Sequence, residues 1–317
     1  MEKGKFVISL DFELHWGAAE LWDLNVMKPY FDGARQSIPE VLALFGKYNI
    51  HATWATVGFL FAKNKEQLLA FSPKFLPTYT NKKLSAYRII DDGEIGFDES
   101  DDPYHYAPSL IQKIVDTPNQ ELGTHTFSHY YCNEPGQNEQ QFDADLKAAQ
   151  AISKENFGIQ LQSLVLPRNQ FNPKYLEIAE RNGIKVVRSN PDVWFWKNDL
   201  RFSPLARAFD TLFPISGTLS YKHKERTSET LTLHPASRFL RPYSPKERFI
   251  QKLKIRRIKS EMTQAAKRNR VYHLWWHPHN FGNSTKNNVA ALEEILKHYE
   301  QLHFKYNFTS ASMIELY

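Results

Sequence analysis

The sequence predicts an α/β fold in which parallel strands alternate with crossover helices. Short apolar segments alternate with longer amphipathic segments along much of the 317-residue chain, and this order is typical of parallel sheets. Polar residues cluster just after the apolar segments, where such folds place their chemistry. The pattern fits both an open sheet and a closed barrel. No internal repeat or linker interrupts it, so we expect a single domain spanning residues 1–317.

A strand, a helix and a second strand begin the chain. Residues 6–10 form an apolar strand, and residues 38–48 carry an apolar stripe at helical spacing. Residues 51–58 again have the composition of a buried strand. Residues 62–119 follow neither periodicity and contain acidic runs with glycine and proline, which are typical of loops. We therefore predict an insertion at about 62–119, near the site.

The second half of the chain resumes the alternation. Strands are predicted to end at His125, just before Arg168 and at Arg188, helices are predicted over residues 139–156 and 173–182, and a last apolar strand covers residues 271–277. The long segment before this last strand has no such rhythm. We predict that it forms a second insertion, at about 190–270.

Composition indicates a folded protein in a reducing compartment. The chain is 42% hydrophobic and 24% charged, and its single cysteine, Cys132, excludes an internal disulfide. We expect Cys132 to pack in the core and not to act as a nucleophile. No apolar run approaches the 18 or so residues of a membrane span, and residues 6–10 are too short for a signal-peptide core. These features favour a cytoplasmic protein.

One segment concentrates the positive charge. Residues 238–270 contain 12 Lys or Arg and two acidic residues, so this segment carries +10 although the whole chain carries only +5. Within it, apolar residues recur at helical spacing, namely Ile255, Ile258, Met262 and Ala265. A surface helix packed on the fold is one interpretation. Peripheral contact with the inner face of a membrane is the other, and no nucleic-acid motif accompanies the charge.

Two acids follow the first strand. Asp11 and Glu13 are two residues apart, so on an extended chain they face the same side with Cα atoms about 6.6 Å apart. One can hold a metal ion while the other accepts a proton.

Two histidines four residues apart supply further metal ligands. His125 and His129 follow a strand end, where the chain can curl and bring both side chains together. A rival pair, His273 and His277, lies on a predicted strand, which would separate them by about 13 Å. We therefore predict that His125 and His129, not the rival pair, share a metal.

These motifs together resemble the polysaccharide deacetylase family, the NodB-homology or carbohydrate esterase 4 group. The resemblance rests on Ser9-Leu10-Asp11-Phe12-Glu13, His125-Thr126-Phe127-Ser128-His129, Arg168 and Leu274-Trp275-Trp276-His277, in that order along the chain. It covers residues 5–58, 121–190 and 271–280. The resemblance implies a distorted (β/α)7 barrel with large insertions that binds one divalent metal ion.

The family pattern also implies roles for individual residues. Glu13 with His125 and His129 would hold the metal and Asp11 would be the base, although the two acids could exchange roles. Arg168 would hold Asp11 in place, and His277 would be the acid, with His279 as the alternative. Zn is the expected metal, with Co, Mn or Ni as alternatives. The remaining candidates are substrate-binding residues, namely His15, Trp16, Asp192, Trp194 and His279.

Two departures from the family pattern affect the expected substrate. A phenylalanine, Phe12, separates two acids that are usually adjacent aspartates, and Asn169-Gln170 replaces the proline and aromatic residue that usually follow the arginine. The second change suggests an altered groove. We expect a metal-dependent hydrolase that removes an N-acetyl or other acyl group from a sugar. With no export signal, a nucleotide-linked or lipid-linked sugar in bacterial surface polysaccharide synthesis, including lipopolysaccharide or O-antigen, is favoured.

Two other function classes are possible. A non-catalytic relative would bind a glycan without turnover, but the presence of both Asp11 and His277 argues against it. A glycoside hydrolase needs two carboxylates on opposite sides of the scissile bond. Asp11 and Glu13, neighbours on one strand, fit that requirement poorly.

Overall fold

The sheet is entirely parallel in the computed structural model, which describes residues 3–191, 193, 217–223 and 231–317. Its hydrogen-bonded order is β6-β5-β4-β3-β2-β1-β8-β7, and a short β9 pairs with the start of β1. The strands are β1 (Lys5–Phe12), β2 (Ala52–Thr56), β3 (Gln120–Thr124), β4 (Ser163–Val165), β5 (Val186–Ser189), β6 (Thr232–Pro235), β7 (Arg238–Phe239), β8 (Val271–Trp276) and β9 (Thr309–Ala311).

Eight α-helices lie in the described residues. They are α1 (Leu24–Lys47), α2 (Lys65–Phe71), α3 (Tyr87–Asp91), α4 (Pro108–Asp116), α5 (Glu139–Phe157), α6 (Pro173–Arg181), α7 (Gln251–Lys267) and α8 (Thr285–Tyr306). The segment 62–119, predicted as an irregular insertion, therefore contains three short helices. Helix α1 begins 14 residues before its predicted start and continues through Pro29 and Pro39. Prolines usually interrupt helices. Here the helix continues, and the side chains of Tyr30, Phe31 and Ala34, which follow Pro29, pack into the core and stabilise it.

One segment joins the two edges of the sheet. Residues of β6 pair with β5, and the Ala236 N–H still donates to the Ser189 carbonyl (2.8 Å). The next residue, Ser237, donates to His273 of β8 (2.8 Å), and β7 continues that pairing. This segment thus acts as the seventh barrel strand, and the predicted distorted (β/α)7 barrel is confirmed. The range 190–270 contributes β6, β7 and α7 to the barrel.

Alternation along β1 separates the barrel interior from the helical shell. Phe6, Ile8 and Leu10 belong to the large apolar cluster beneath the helices, whereas Val7 packs in a separate cluster with valines of β4, β5 and β8. Ser9 and Asp11 have the same parity as Val7, so they face the interior. Asp11 therefore points into the barrel near the carboxyl ends of the strands.

A buried carboxyl group lies at the opposite, amino end of the barrel. Glu121 Oε2 accepts hydrogen bonds from Thr53 Oγ1 (2.6 Å) and from the Ile314 N–H (3.2 Å) of the C-terminal turn. Its Oε1 has no partner in the described part of the chain. Burial raises the pKa of Glu121 above its ordinary 4.5, so the folded protein retains this proton at a pH where the unfolded chain has lost it.

We predict that Glu121→Gln flattens the pH dependence of stability. Between pH 4.5 and the raised pKa the folded state binds more protons than the unfolded state, so the free energy of unfolding falls as pH rises. Glutamine keeps the shape and has no proton to lose. Urea unfolding at a series of pH values checks this. Glu155→Gln, on the exposed face of α5, is the control, and identical slopes in both variants would contradict the prediction.

Candidate metal centre and active site

Three predicted metal ligands come together at the carboxyl end of the barrel. Glu13 follows β1, and His125 and His129 follow β3. Glu13 Oε2 lies 3.2 Å from His125 Nε2 and 3.1 Å from His129 Nε2, and one donor atom from each residue falls within 4.8 Å of the others. All three side chains are buried. The two histidines approach because Thr126 and His129 have left-handed backbone conformations (φ 65° and 56°), which tighten the loop after β3.

A buried aspartate of α5 holds this loop. Asp145 accepts hydrogen bonds from the backbone N–H groups of Phe127 (2.6 Å) and Ser128 (3.1 Å), and from the Ser128 hydroxyl. These bonds satisfy donors that the tight loop would otherwise leave buried and unpaired. Asp145 therefore sets the backbone path between His125 and His129.

The donor set fits a divalent cation. His125 Nδ1–H donates to the Val165 carbonyl (2.8 Å) and His129 Nδ1–H donates to the Tyr131 hydroxyl (3.1 Å), so both Nε2 lone pairs face Glu13. Outer partners of this kind orient metal-ligating histidines. Burial lowers the pKa of His129, which favours the neutral imidazole that a metal requires. Burial would raise the pKa of Glu13, but His277, His125 and His129 together hold it well below its usual range.

The predicted base is held by a different arginine from the one predicted. Arg188, at the end of β5, donates to both Asp11 oxygens, NH1 to Oδ1 (2.6 Å) and NH2 to Oδ2 (2.7 Å). It also donates to Ser9 Oγ (3.0 Å) and Asn169 Oδ1 (2.9 Å), and its guanidinium lies 4.3 Å from the centre of the Trp275 ring. The pKa of Asp11 is raised by burial but lowered more by Arg188 and the nearby histidines. Asp11 is therefore a buried carboxylate.

The predicted contact between Arg168 and Asp11 is wrong. Arg168 adopts a left-handed conformation (φ 54°) after β4, and its guanidinium pairs with Glu20 and lies 4.3 Å from the centre of the Tyr131 ring. Tyr131 also donates to Glu20 Oε1 (3.3 Å). Arg168 thus contacts the partner of His129 and not the base. Sequence reasoning missed Arg188, although an arginine at an interior position of a buried strand requires a buried counter-charge.

We predict that Tyr131→Phe weakens metal binding by about 10- to 100-fold, the effect typical of losing an outer-shell hydrogen bond. The variant removes the acceptor that orients His129. Titration calorimetry with Zn²⁺ on metal-free protein measures it. Tyr130→Phe is the matched control, because the adjacent hydroxyl donates to the Asn138 carbonyl (2.9 Å), away from the ligands. Equal affinities in the two variants would contradict this role.

The two C-terminal histidines differ in access and environment. His277 Nε2 lies 3.7 Å from both Asp11 Oδ2 and Glu13 Oε1, and its side chain is 26% exposed. Its Nδ1–H donates to Asn280 Oδ1 (3.2 Å). His279 is buried beside Trp22, Tyr30 and Phe31, and burial lowers its pKa to about 3. His277 is therefore better placed to exchange a proton with a substrate.

Among the other predicted substrate-binding residues, the two that the structure describes, His15 and Trp16, have their polar ring atoms engaged in hydrogen bonds within the protein. His15 contacts His105 Nε2 (2.8 Å) and the Trp22 carbonyl (3.0 Å), and Trp16 donates to the His105 carbonyl (2.9 Å). Both side chains are buried, so they support the loop after β1. Asp192 and Trp194 lie outside the described residues.

Known proteins share this architecture. The family model described as polysaccharide deacetylase matches residues 29–187. A presumed polysaccharide deacetylase structure from Mycobacterium smegmatis covers 99% of this chain and 89% of its own length at 12% identity and TM-score 0.59. The structure of a probable polysaccharide deacetylase from Pseudomonas aeruginosa PAO1 covers 98% of this chain and 88% of its own length, at 12% identity and TM-score 0.56. The structure of Puue allantoinase covers 98% of this chain and 87% of its own length, at 12% identity and TM-score 0.55. No curated protein sequence matches significantly. At these identities the structures show a shared fold.

Proposed function

Because the chain belongs to the polysaccharide deacetylase family, as its motifs predict, we propose that it is a metal-dependent hydrolase that removes an acyl group from an N-acylated sugar. One observation carries the proposal. The cluster of Glu13, His125 and His129 lies beside a charged Asp11 and a solvent-accessible His277, so ligands, base and acid surround one point at the carboxyl end of the barrel.

A divalent ion held by Glu13, His125 and His129 would polarise the acyl carbonyl and make a water molecule more acidic. Asp11 would accept the proton of the attacking water. Each Asp11 oxygen uses one lone pair for Arg188 and keeps another for this proton, while the guanidinium holds the carboxylate in its charged form.

The acid step falls to His277. Its Nδ1–H bond to Asn280, which itself donates to the Tyr30 hydroxyl (3.1 Å), sets the ring orientation. Nε2 then faces Asp11 and Glu13 and can donate a proton to the departing amine. The products would be a carboxylic acid, acetate in the simplest case, and a free amino sugar.

The finer parts of the proposal rest on the sequence. We propose Zn as the metal, with Co, Mn and Ni as alternatives, because histidine and carboxylate ligands suit all four. We also propose a nucleotide-linked or lipid-linked sugar in surface polysaccharide synthesis as substrate, acted on in the cytoplasm. No helix in the described residues is long and apolar enough to cross a membrane.

Acetate release tests the proposal. Metal-free protein, reloaded with Zn²⁺, is incubated with N-acetylglucosamine oligomers and with UDP-N-acetylglucosamine. We expect release that depends on the metal and is lost in His129→Ala, but not in His303→Ala, a control on α8. A protein that binds these sugars without releasing acetate under any metal would instead be a non-catalytic relative.

A further inference from the structure

An exposed apolar and basic surface covers the turn before α7 and the first turns of that helix. Phe249 is 81% exposed and Leu253 is 51% exposed, although large apolar side chains are usually covered. Lys252, Leu253 and Arg256 are spaced at i, i+1 and i+4 near the start of α7 and share one side of the helix, and Phe249 lies in the turn two residues before the helix begins. Exposed cations flank them. We call this surface the basic rim, and it comprises Lys246, Arg248, Phe249, Lys252, Leu253 and Arg256.

The positive charge of the basic rim is not neutralised within the described part of the chain. The segment's two acids are engaged elsewhere, because Glu247 pairs with Arg241 and Lys254 and Glu261 pairs with Arg238 and Arg257. None of the rim cations forms an ion pair with a described acidic residue. Arg248 instead lies 4.6 Å from the centre of the Phe249 ring.

The apolar stripe predicted from the sequence is on the opposite face of α7. Ile255, Ile258, Met262 and Ala265 are buried in the main apolar cluster. They attach the helix to the barrel and are unable to contact a membrane. The surface that can make this contact is therefore the basic rim.

The basic rim lies at the catalytic end of the barrel. Helix α7 follows β7 and precedes β8, so its first turn lies near the carboxyl ends of these parallel strands and its last turn near their amino ends. Phe239, the last residue of β7, packs against Trp275 and His277 (ring centroids 4.8 and 5.9 Å). The Tyr243 N–H then donates to Asn288 of α8 (2.6 Å), which anchors the segment leading to the rim.

We propose that the basic rim binds the anionic surface of a lipid bilayer, with Phe249 and Leu253 inserted between headgroups. Exposed aromatic and aliphatic side chains surrounded by lysine and arginine are complementary to such a surface. This inference goes beyond the proposed function, because binding requires no turnover. It would orient the catalytic end of the barrel toward the membrane, where lipid-linked sugars are held.

Vesicle sedimentation tests the inference. The full chain is mixed with vesicles of phosphatidylcholine, with or without phosphatidylglycerol, at low and at physiological salt. We expect binding only to the anionic vesicles, weakening as salt rises. Lys252→Glu with Arg256→Glu should reduce the partition coefficient by at least about tenfold, and Phe249→Ser with Leu253→Ser should also reduce it.

Matched controls separate the basic rim from general positive charge. Lys267→Glu with Arg268→Glu changes the same charge at the other end of α7, and Phe304→Ser removes an equally exposed phenylalanine (80%) from α8. Both should bind vesicles as the unaltered protein does. Acetate release from a soluble sugar should be the same in all variants. Failure of the membrane inference would therefore appear only in vesicle binding, and failure of the proposed function only in acetate release.

Three outcomes would overturn the inference. The unaltered protein could fail to bind anionic vesicles. The controls could lose binding as much as the rim variants, which would indicate attraction to bulk charge. Size-exclusion chromatography could instead show a dimer that Phe249→Ser dissociates, without vesicle binding, which would assign the basic rim to contact with a second copy of the chain.

Discussion

Asp11→Asn is expected to lower kcat/KM by about 10²- to 10⁴-fold, the usual contribution of a positioned general base, while Zn²⁺ affinity stays unchanged. Asparagine keeps the shape of the side chain and still offers one oxygen to Arg188, so the barrel should fold, with a reduced free energy of unfolding because the buried charge of Arg188 is no longer balanced by Asp11. It has no lone pair basic enough to take a proton from water. The metal ligands Glu13, His125 and His129 are not altered. Kinetics on the best acyl sugar, with Zn²⁺ titration calorimetry, measure both quantities.

Glu13→Gln is the informative partner of this variant. Glu13 Oε2 faces both histidine Nε2 atoms, so its replacement should lower Zn²⁺ affinity, whereas Asp11→Asn should not. Asp143→Asn, on the outer side of α5, controls for loss of a carboxylate at a remote site. The reverse result, with metal lost in Asp11→Asn and retained in Glu13→Gln, would exchange the roles of the two acids. Full turnover in Asp11→Asn would show that Asp11 is not the general base.

Arg188→Met is expected to have the largest effect on stability. The Arg188 side chain is fully buried and that of Asp11 is 3% exposed, and removing one partner of a buried ion pair commonly costs about 3–5 kcal/mol. Chemical denaturation measures this cost. Arg168→Met should cost less, because the Arg168 side chain is 36% exposed and a pair with one partly exposed partner contributes less than a pair with both charges buried.

The same variant should alter the pH dependence of activity. Burial raises the pKa of Asp11, and Arg188 is the largest influence lowering it, so without Arg188 the pKa rises. Asp11 must be ionised to act as a base, and the acidic limb of the kcat/KM profile should therefore move to higher pH. Arg168→Met should leave that limb in place. A shift in Arg168→Met without one in Arg188→Met would restore the original sequence-based assignment.

The candidate metal ligands could be predicted because their relationships are local. Asp11 and Glu13 are two residues apart at a strand end, and His125 and His129 are four apart in one loop. Whether two side chains at such spacings face the same side depends only on the local backbone conformation, and the residues of the segment largely determine that conformation. The rival histidine, His273, was excluded for the same reason, and it faces the interior beside Ser9 (2.8 Å).

The arginine partner of the base could not be predicted in this way. Arg168 follows one apolar strand and Arg188 lies near the end of the next, and motif order favoured Arg168. In the structure Arg168 itself has a left-handed backbone conformation and pairs with Glu20, whereas Arg188 faces the barrel interior from β5 and binds Asp11, 177 residues earlier in the sequence. A single φ value and the position of a strand decide between them, and neither is encoded in the spacing of a motif.

The sequence by itself determined the fold class, the family and the residue types at the site, because strand and helix periodicities and short motifs are local properties. Only the tertiary structure decided which side chains meet. The seventh strand closes the barrel and brings β5 and β8 to the same interior, so Arg188 and His277 reach Asp11. The same packing buries the apolar stripe of α7 and leaves Leu253 in solvent, because only one face of a helix can pack against the core.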